Sequence, residues 1–411
     1  MGAPIDVSVA GASRTSSRRA LGFIFATVFL DLLGVGILLP VIPFLVRQFT
    51  PSGLAVGLLA LSYSLAQFGA APLLGRLSDR VGRRPVLVAS VLGSGIAYVA
   101  FGLATALWVL FAARIVDGMS GGNITAAQAY IADVSAPEDR AKNFGLIGAA
   151  FGLGFIIGPA LGGMLSHISL AAPAYAAGAM AMVTALFGIF VLPESLPPDR
   201  RNATSLTLRD LNPLRPVAVA LAQPALRLLM LAVFAQGFAG AELRTNFAVF
   251  TAGRFHLGPS ENALIFSFIG VMGLLVQGVL LRRLTSSHSE RSLAVTGLVI
   301  MIVGYFAVAF VPTVPLLYAA LALIATGGGL ATPTLTGLVS LNVGQSEQGA
   351  ALGAVQSLQS LSLIVGPVWA GAFFDHVGMG SPYWTAALWV LLALAALLRT
   401  PAMPHTRMSR T

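Results

Sequence analysis

Charge in this 411-residue chain is almost confined to short clips between apolar runs. The densest clip is Gly75-Arg76-Leu77-Ser78-Asp79-Arg80-Val81-Gly82-Arg83-Arg84, set between the apolar runs 53–75 and 85–106. Its four arginines and one aspartate fill a loop too short to fold by itself. A bilayer-crossing helix needs about 20 apolar residues, and each flanking run supplies them. Only 9% of the residues are charged and 56% are hydrophobic, against about 25% charged in a soluble domain. So little polar surface cannot keep the chain in water. Backbone groups crossing lipid must satisfy one another, so the composition predicts an all-α membrane protein.

The apolar runs predict twelve transmembrane helices near 20–46, 53–75, 85–106, 107–131, 142–166, 172–192, 225–250, 261–281, 292–311, 314–338, 349–373 and 382–399. The run from Leu21 to Val46 is too long for a signal-peptide core and has no small-residue cleavage site, so it reads as a retained first span. The segment 193–224 breaks the rhythm with Pro197-Pro198, Asp199-Arg200-Arg201 and Asn212-Pro213. The expected organisation is a tail at 1–19, a six-helix bundle at 20–192, a linker at 193–224, a second six-helix bundle at 225–399 and a tail at 400–411. Around 206–214 the linker reads either as a short interfacial helix or as plain loop.

The net charge of +9 would suggest nucleic acid on a soluble protein. Here the basic residues sort by loop. Of 24 lysines and arginines, only Arg47 and Arg254 fall on one side of the membrane, and Arg114 and Arg244 lie inside spans. The rest share the side of both termini, which the positive-inside rule assigns to the cytoplasm. No nucleic-acid partner is expected, and the lipid bilayer is the partner the composition demands.

The chain has no cysteine, which excludes disulfides and thiolate metal sites. His167, His256, His288, His376 and His405 all map to loops or the tail, with no metal-ligand spacing. No phosphate-binding loop of the Gly-x-x-x-x-Gly-Lys-Ser/Thr type is present. Neither a cofactor, a bound metal nor enzymatic activity is expected.

Two features repeat at nearly one offset. Gly158-Pro159-Ala160-Leu161-Gly162 recurs as Gly366-Pro367-Val368-Trp369-Ala370-Gly371, and the arginine clip recurs weakly as Gly278-Val279-Leu280-Leu281-Arg282-Arg283. Such a repeat suits two pseudo-symmetric bundles that rock around a site near the bilayer midplane.

The clip resembles the helix 2–3 loop of the major facilitator superfamily, G-x-L-x-D-R-x-G-R-R. The resemblance implies a cytoplasmic gate at Gly75, Asp79, Arg80, Gly82, Arg83 and Arg84, holding helix ends together when the central site faces outward. Leu110 to Gly118 resembles the superfamily's helix 4 motif with its buried arginine. Arg114 and Asp117 stand at i, i+3, and Gly121, Thr125 and Gln128 continue their stripe at 100° per residue. A charge at the membrane centre costs about 3 kcal/mol or more and is seldom without function. The pair is either part of proton coupling or substrate contact, or an inert ion pair. Asp31, about ten residues into the first span, joins Arg114 and Asp117 as a candidate proton carrier.

The run Gly154-Phe155-Ile156-Ile157-Gly158-Pro159-Ala160-Leu161-Gly162-Gly163 matches the antiporter motif G-x-x-x-G-P-x-x-G-G. Gly154, Gly158, Gly162 and Gly163 let helices approach closely, and Pro159 bends the helix. In the family this motif marks export. Ala129-Tyr130-Ile131-Ala132-Asp133-Val134, Glu138-Asp139-Arg140-Ala141 and Leu39-Pro40-Val41-Ile42-Pro43 extend the resemblance to twelve-helix drug:proton antiporters, nearest the tetracycline-exporter branch. Ala97, the apolar Ile300-Met301-Ile302 and the lack of a histidine in the eighth span depart from that branch, so the resemblance does not by itself carry over tetracycline.

Candidate cavity residues are Gln128 and Thr125 in the fourth span, Glu242 and Asn246 in the seventh, and Gln356 and Gln359 in the eleventh. Glu242 and Arg244, at i, i+2, point apart. The combined reading is a monomeric, proton-coupled exporter of small amphipathic, drug-like molecules. Export of a metabolite, sugar or lipid-like molecule on the same scaffold is the alternative.

Overall fold

The computed structural model describes residues 7–121, 123–135, 139–201, 212, 214–344 and 347–401. Most of the segment 206–214 and both outermost tails lie outside the described residues. The helices are α1 (Val7–Leu38), α2 (Ile42–Arg47), α3 (Gly53–Val81), α4 (Arg83–Gly102), α5 (Leu107–Ser120), α6 (Asn123–Val134), α7 (Arg140–Ser166), α8 (Ala172–Phe190), α9 (Arg215–Ala222), α10 (Pro224–Phe255), α11 (Pro259–Leu275), α12 (Leu281–Leu284), α13 (Glu290–Phe310), α14 (Val314–Leu341), α15 (Gln348–His376) and α16 (Ser381–Arg399). Among the described residues ten helical segments are long and apolar enough to cross a membrane. The apolar part of α1, Ile24–Leu38, and the pair α5–α6 bring the spans to twelve.

Three spans depart from the continuous helices expected. The first stops at Leu38 and resumes as α2, with turns at 39–41. Pro40 accounts for the break, because a residue before proline is driven out of helical geometry, and Pro43 sits in the first turn of α2, where its missing N–H is not needed. The fourth span divides after Ser120, where Gly121 begins a glycine pair that favours coil over helix. A side chain at Gly121 would meet Gln67 Nε2 at 2.8 Å, so the break lets α3 approach closely. The eighth span loosens into a π turn over Val276–Leu280 before α12.

The first half packs α1 on α7 and α8, α4 on α8, and α3 on α5; the second packs α13 on α14, and α10 on α15 and α16. The halves meet chiefly through α3 against α15 and α7 against α11. Counted by span these are pairs 2–11 and 5–8, which a six-span shift exchanges. The glycine–proline repeat obeys the same symmetry. Gly158 faces Gly36 of α1, and Gly366 faces Ala241 of α10, so spans 5 and 11 press on spans 1 and 7 through equivalent glycines. Gly154 and Gly162 also press on α1, at Leu32 and Ile37, whereas Gly163 faces Ala263 of α11 in the other half. Pro159 lies inside α7.

Candidate functional site

The described hydrogen bonds between the halves lie toward the end opposite the arginine clip. There the Asp375 carboxylate, at the end of α15, accepts from Ser52 Oγ at 2.6 Å, Gly53 N at 2.8 Å and Leu54 N at 3.0 Å. It caps the N-terminus of α3, whose first N–H groups have no partner within the helix. Gly57 meets the Pro367 carbonyl one turn further in. On the other flank Ser260 of α11 donates to the Gly163 carbonyl and contacts His167 Nε2 at 2.9 Å, and Ser267 donates to the Ile156 carbonyl. The described ties between the halves thus gather toward the end opposite the clip.

The clip is tied within its own half. Arg83 is buried and pairs with Asp79 at 2.5 Å and Asp133 of α6 at 3.1 Å, while its Nη1 donates to Ser78 Oγ at 2.7 Å. Arg84 donates to the carbonyls of Gly188 and Ile189 at the end of α8. Gly82 has φ of 111°, and a side chain there would collide with Glu194. That close approach lets Glu194 accept from the backbone N–H of Arg83 at 2.8 Å and of Arg84 at 3.3 Å, an anion at a helix N-terminus. Arg80 points outward and Gly75 has open space around it. Glu194 was not singled out by sequence reasoning, because the Arg83 and Arg84 N–H groups it binds lie over a hundred residues away.

Inside the first half, Arg114 Nη1 bonds Asp117 Oδ2 at 2.9 Å, as the i, i+3 spacing requires. The guanidinium lies over the Tyr63 ring, 4.3 Å from its centroid, and its Nε has no partner. Ser94 and Tyr98 flank the Asp117 carboxylate. Asp31 is half-buried, and its charge reaches both Tyr63 and Tyr98. The structure therefore brings Asp31, Arg114 and Asp117 around one pair of tyrosines. The expected stripe does not continue, however. Asp117 is sealed, whereas Thr125 and Gln128 are exposed, because the break at Gly121 resets the helix rotation.

The polar candidates of the second half divide. Gln356 is exposed and Gln359 half-buried. Amide side chains facing hydrocarbon are costly, so these residues and Thr125 and Gln128 suit a wet space. Glu242 and Asn246 do not line that space here. Both are 0% exposed, packed inside the second half, where Thr385 Oγ1 of α16 donates to Glu242 Oε2 at 2.9 Å. Arg244, two residues on, is exposed and lies 5.4 Å from the centroid of Phe155, on α7 of the other half. The i, i+2 divergence sends the carboxylate inward and the guanidinium toward the cleft, and helical rotation relative to the cleft could not be read from the sequence. A separate apolar groove of about 350 Å³ opens on the outside of the second half between α15 and α16, walled by Trp369, Phe373, Trp384 and Trp389.

Two bundles joined by paired helices, with an ion pair held inside one of them, have the architecture of a membrane transporter of the alternating-access class. The model of the Major Facilitator Superfamily matches residues 24–289 and 278–410, and the chain belongs to that superfamily. It is 34% identical over 397 residues to the tetracycline resistance protein, class C, of Escherichia coli, covering 96% of this chain and 98% of the relative. It is 28% identical to multidrug resistance protein 2 of Bacillus subtilis (strain 168), covering 86% and 88%. The crystal structure of the human organic anion transporter MFSD10 (TETRAN) superposes with a TM-score of 0.70 at 26% identity, covering 93% of this chain and 99% of that one.

Proposed function

We infer that the protein exports small amphipathic, drug-like molecules in exchange for protons, by rocking its two halves about a central cleft. The observation that carries this reading is that the described ties between the halves lie toward one end, with Asp31, Arg114 and Asp117 gathered around Tyr63 and Tyr98 within the first half. The drug-resistance relatives support the same reading. Protonation of Asp31 in one conformation and release in the other would tie proton flow to the rocking, with the Arg114–Asp117 pair setting the local field. The clip end is assigned to the cytoplasm on its arginines, which makes this conformation inward-facing. The Asp79–Arg83 clip then acts as the gate of the opposite conformation, and the protein works as a monomer.

The test is transport in proteoliposomes holding the purified full-length protein, with a panel of amphipathic dyes and antibiotics and an imposed pH gradient. Gradient-dependent movement is expected, and Asp31→Asn should reduce it to background while exchange of substrate for substrate persists. Movement of no panel member, or undiminished gradient-driven transport by Asp31→Asn, would sink the reading.

A further inference from the structure

Among the described residues, Arg244 is an exposed guanidinium inside a span with no carboxylate in salt-bridge contact. Arg244 lies inside α10, with ten residues of helix between it and Phe255, a rise of about 16 Å. It therefore sits inside the candidate span, where a charge facing lipid costs several kcal/mol. It cannot reach the membrane surface by extending its side chain over that distance. Yet it is exposed, so the space it borders must hold water or a ligand.

No acid offsets it among the described residues. Glu242 is on the same helix but fully buried on the far side, bonded to Thr385. Asp117 is bound to Arg114, and the Asp31 charge is felt by Tyr63 and Tyr98 of the first half, whereas no carboxylate is seen to act on Arg244. Tyr305 of α13 is the titratable neighbour that senses Arg244. The only group the guanidinium is seen to engage is the Phe155 ring, which belongs to the opposite half. That contact is loose, and a cation over a benzene ring leaves its N–H donors free to bind in the ring-parallel plane.

We propose that Arg244 and Phe155 form the recognition site for an anionic group on an aromatic or planar substrate: Arg244 takes the carboxylate, sulfonate or phenolate, and Phe155 takes the adjoining ring. The proposal rests on the transport reading above and names its substrate class. A planar fork of donors matches a carboxylate in two bonds, and the ring beside it supplies an apolar face for the attached skeleton. Because the two residues come from different halves, an occupant bridges them. Substrate binding would then bias the rocking motion directly.

The test is equilibrium binding to purified full-length protein, with no gradient, followed by the change in tryptophan fluorescence. The probes are three naphthalene derivatives of one skeleton bearing a carboxylate, a primary amide or a trimethylammonium group. Charge-assisted hydrogen bonds predict that the carboxylate binds about tenfold to a hundredfold more tightly than the amide. Arg244→Gln should erase that difference. Arg244→Lys should keep part of it, since the charge remains without the planar fork. Phe155→Leu should weaken carboxylate and amide alike. Preference for the trimethylammonium probe, or an Arg244→Gln variant weakened equally for all three, would overturn the proposal. Because binding is measured without a gradient, a failure of proton-coupled transport would sink the function proposed above and leave this result standing.

Discussion

Thr385 and Glu242 are joined by a 2.9 Å hydrogen bond between α16 and α10, and that bond is the carboxylate's only hydrogen bond among the described residues. Glu242 Oε1, both amide atoms of Asn246 and the Tyr383 hydroxyl are buried without partners around it. An ionised carboxylate in such a place is expensive unless paired, and a neutral amide of the same shape costs much less. Glu242→Gln is therefore expected to fold with a thermal unfolding temperature equal to or above that of the wild type. Glu242→Ala, which leaves a cavity and strands the Thr385 hydroxyl, is expected to lose about 1–3 kcal/mol. Thermal unfolding of the purified protein distinguishes them, and equal losses in both variants would show that the negative charge itself is required.

The Asp375 cap on α3 is the strongest polar tie between the halves. Asp375→Asn keeps its size but removes the charge that three donors converge on. Hydrogen bonds to a charged group are worth about 1.5–3 kcal/mol each, so the closed end should open more often. Spin labels at the ends of α3 and α15 near this cap should report a longer mean distance in the variant. An unchanged distance distribution would remove Asp375 from the gate.

Gly82 and Glu194 fix the clip to its own half. Gly82→Ala is strained twice, by φ of 111° and by collision with Glu194, and should cost on the order of 1–3 kcal/mol. Glu194→Gln weakens the cap on α4 and should cost about 1 kcal/mol. Both losses should appear in thermal unfolding, and a fully stable Gly82→Ala variant would contradict the geometry.

What the sequence made legible follows from range. The twelve apolar runs, the arginine clip and the glycine–proline repeat are local patterns, and each has its place in the fold. The Arg114–Asp117 pair was equally local, fixed by helical spacing alone. The failures came where position depends on distant partners. Asp375 ends a span without distinction until Ser52, Gly53 and Leu54 are brought to it. Glu242 and Arg244 could be seen to diverge, but which one faces the cleft depends on how α10 is turned against α16 and α7. The stripe from Arg114 to Gln128 assumed one helix, and the break after Ser120 undid it.

The Arg114–Asp117 pair poses the sharpest choice between structure and function. Removing one member of a buried ion pair strands the other and costs on the order of 3–5 kcal/mol, so Arg114→Ala alone should be unstable under either reading. Replacing both residues by apolar ones removes the stranded charge, and stability should return. Transport separates the readings. Arg114 is packed over Tyr63 with Nε unpartnered, and Tyr63 and Tyr98 feel both Asp31 and Asp117. The pair thus shares its surroundings with the candidate proton carrier instead of closing on itself. We expect the double variant to unfold at the wild-type temperature yet to lose gradient-driven transport, because the field at Asp31 has changed. A stable double variant with full gradient-driven transport would make the pair a structural tie and leave Asp31 to work without it.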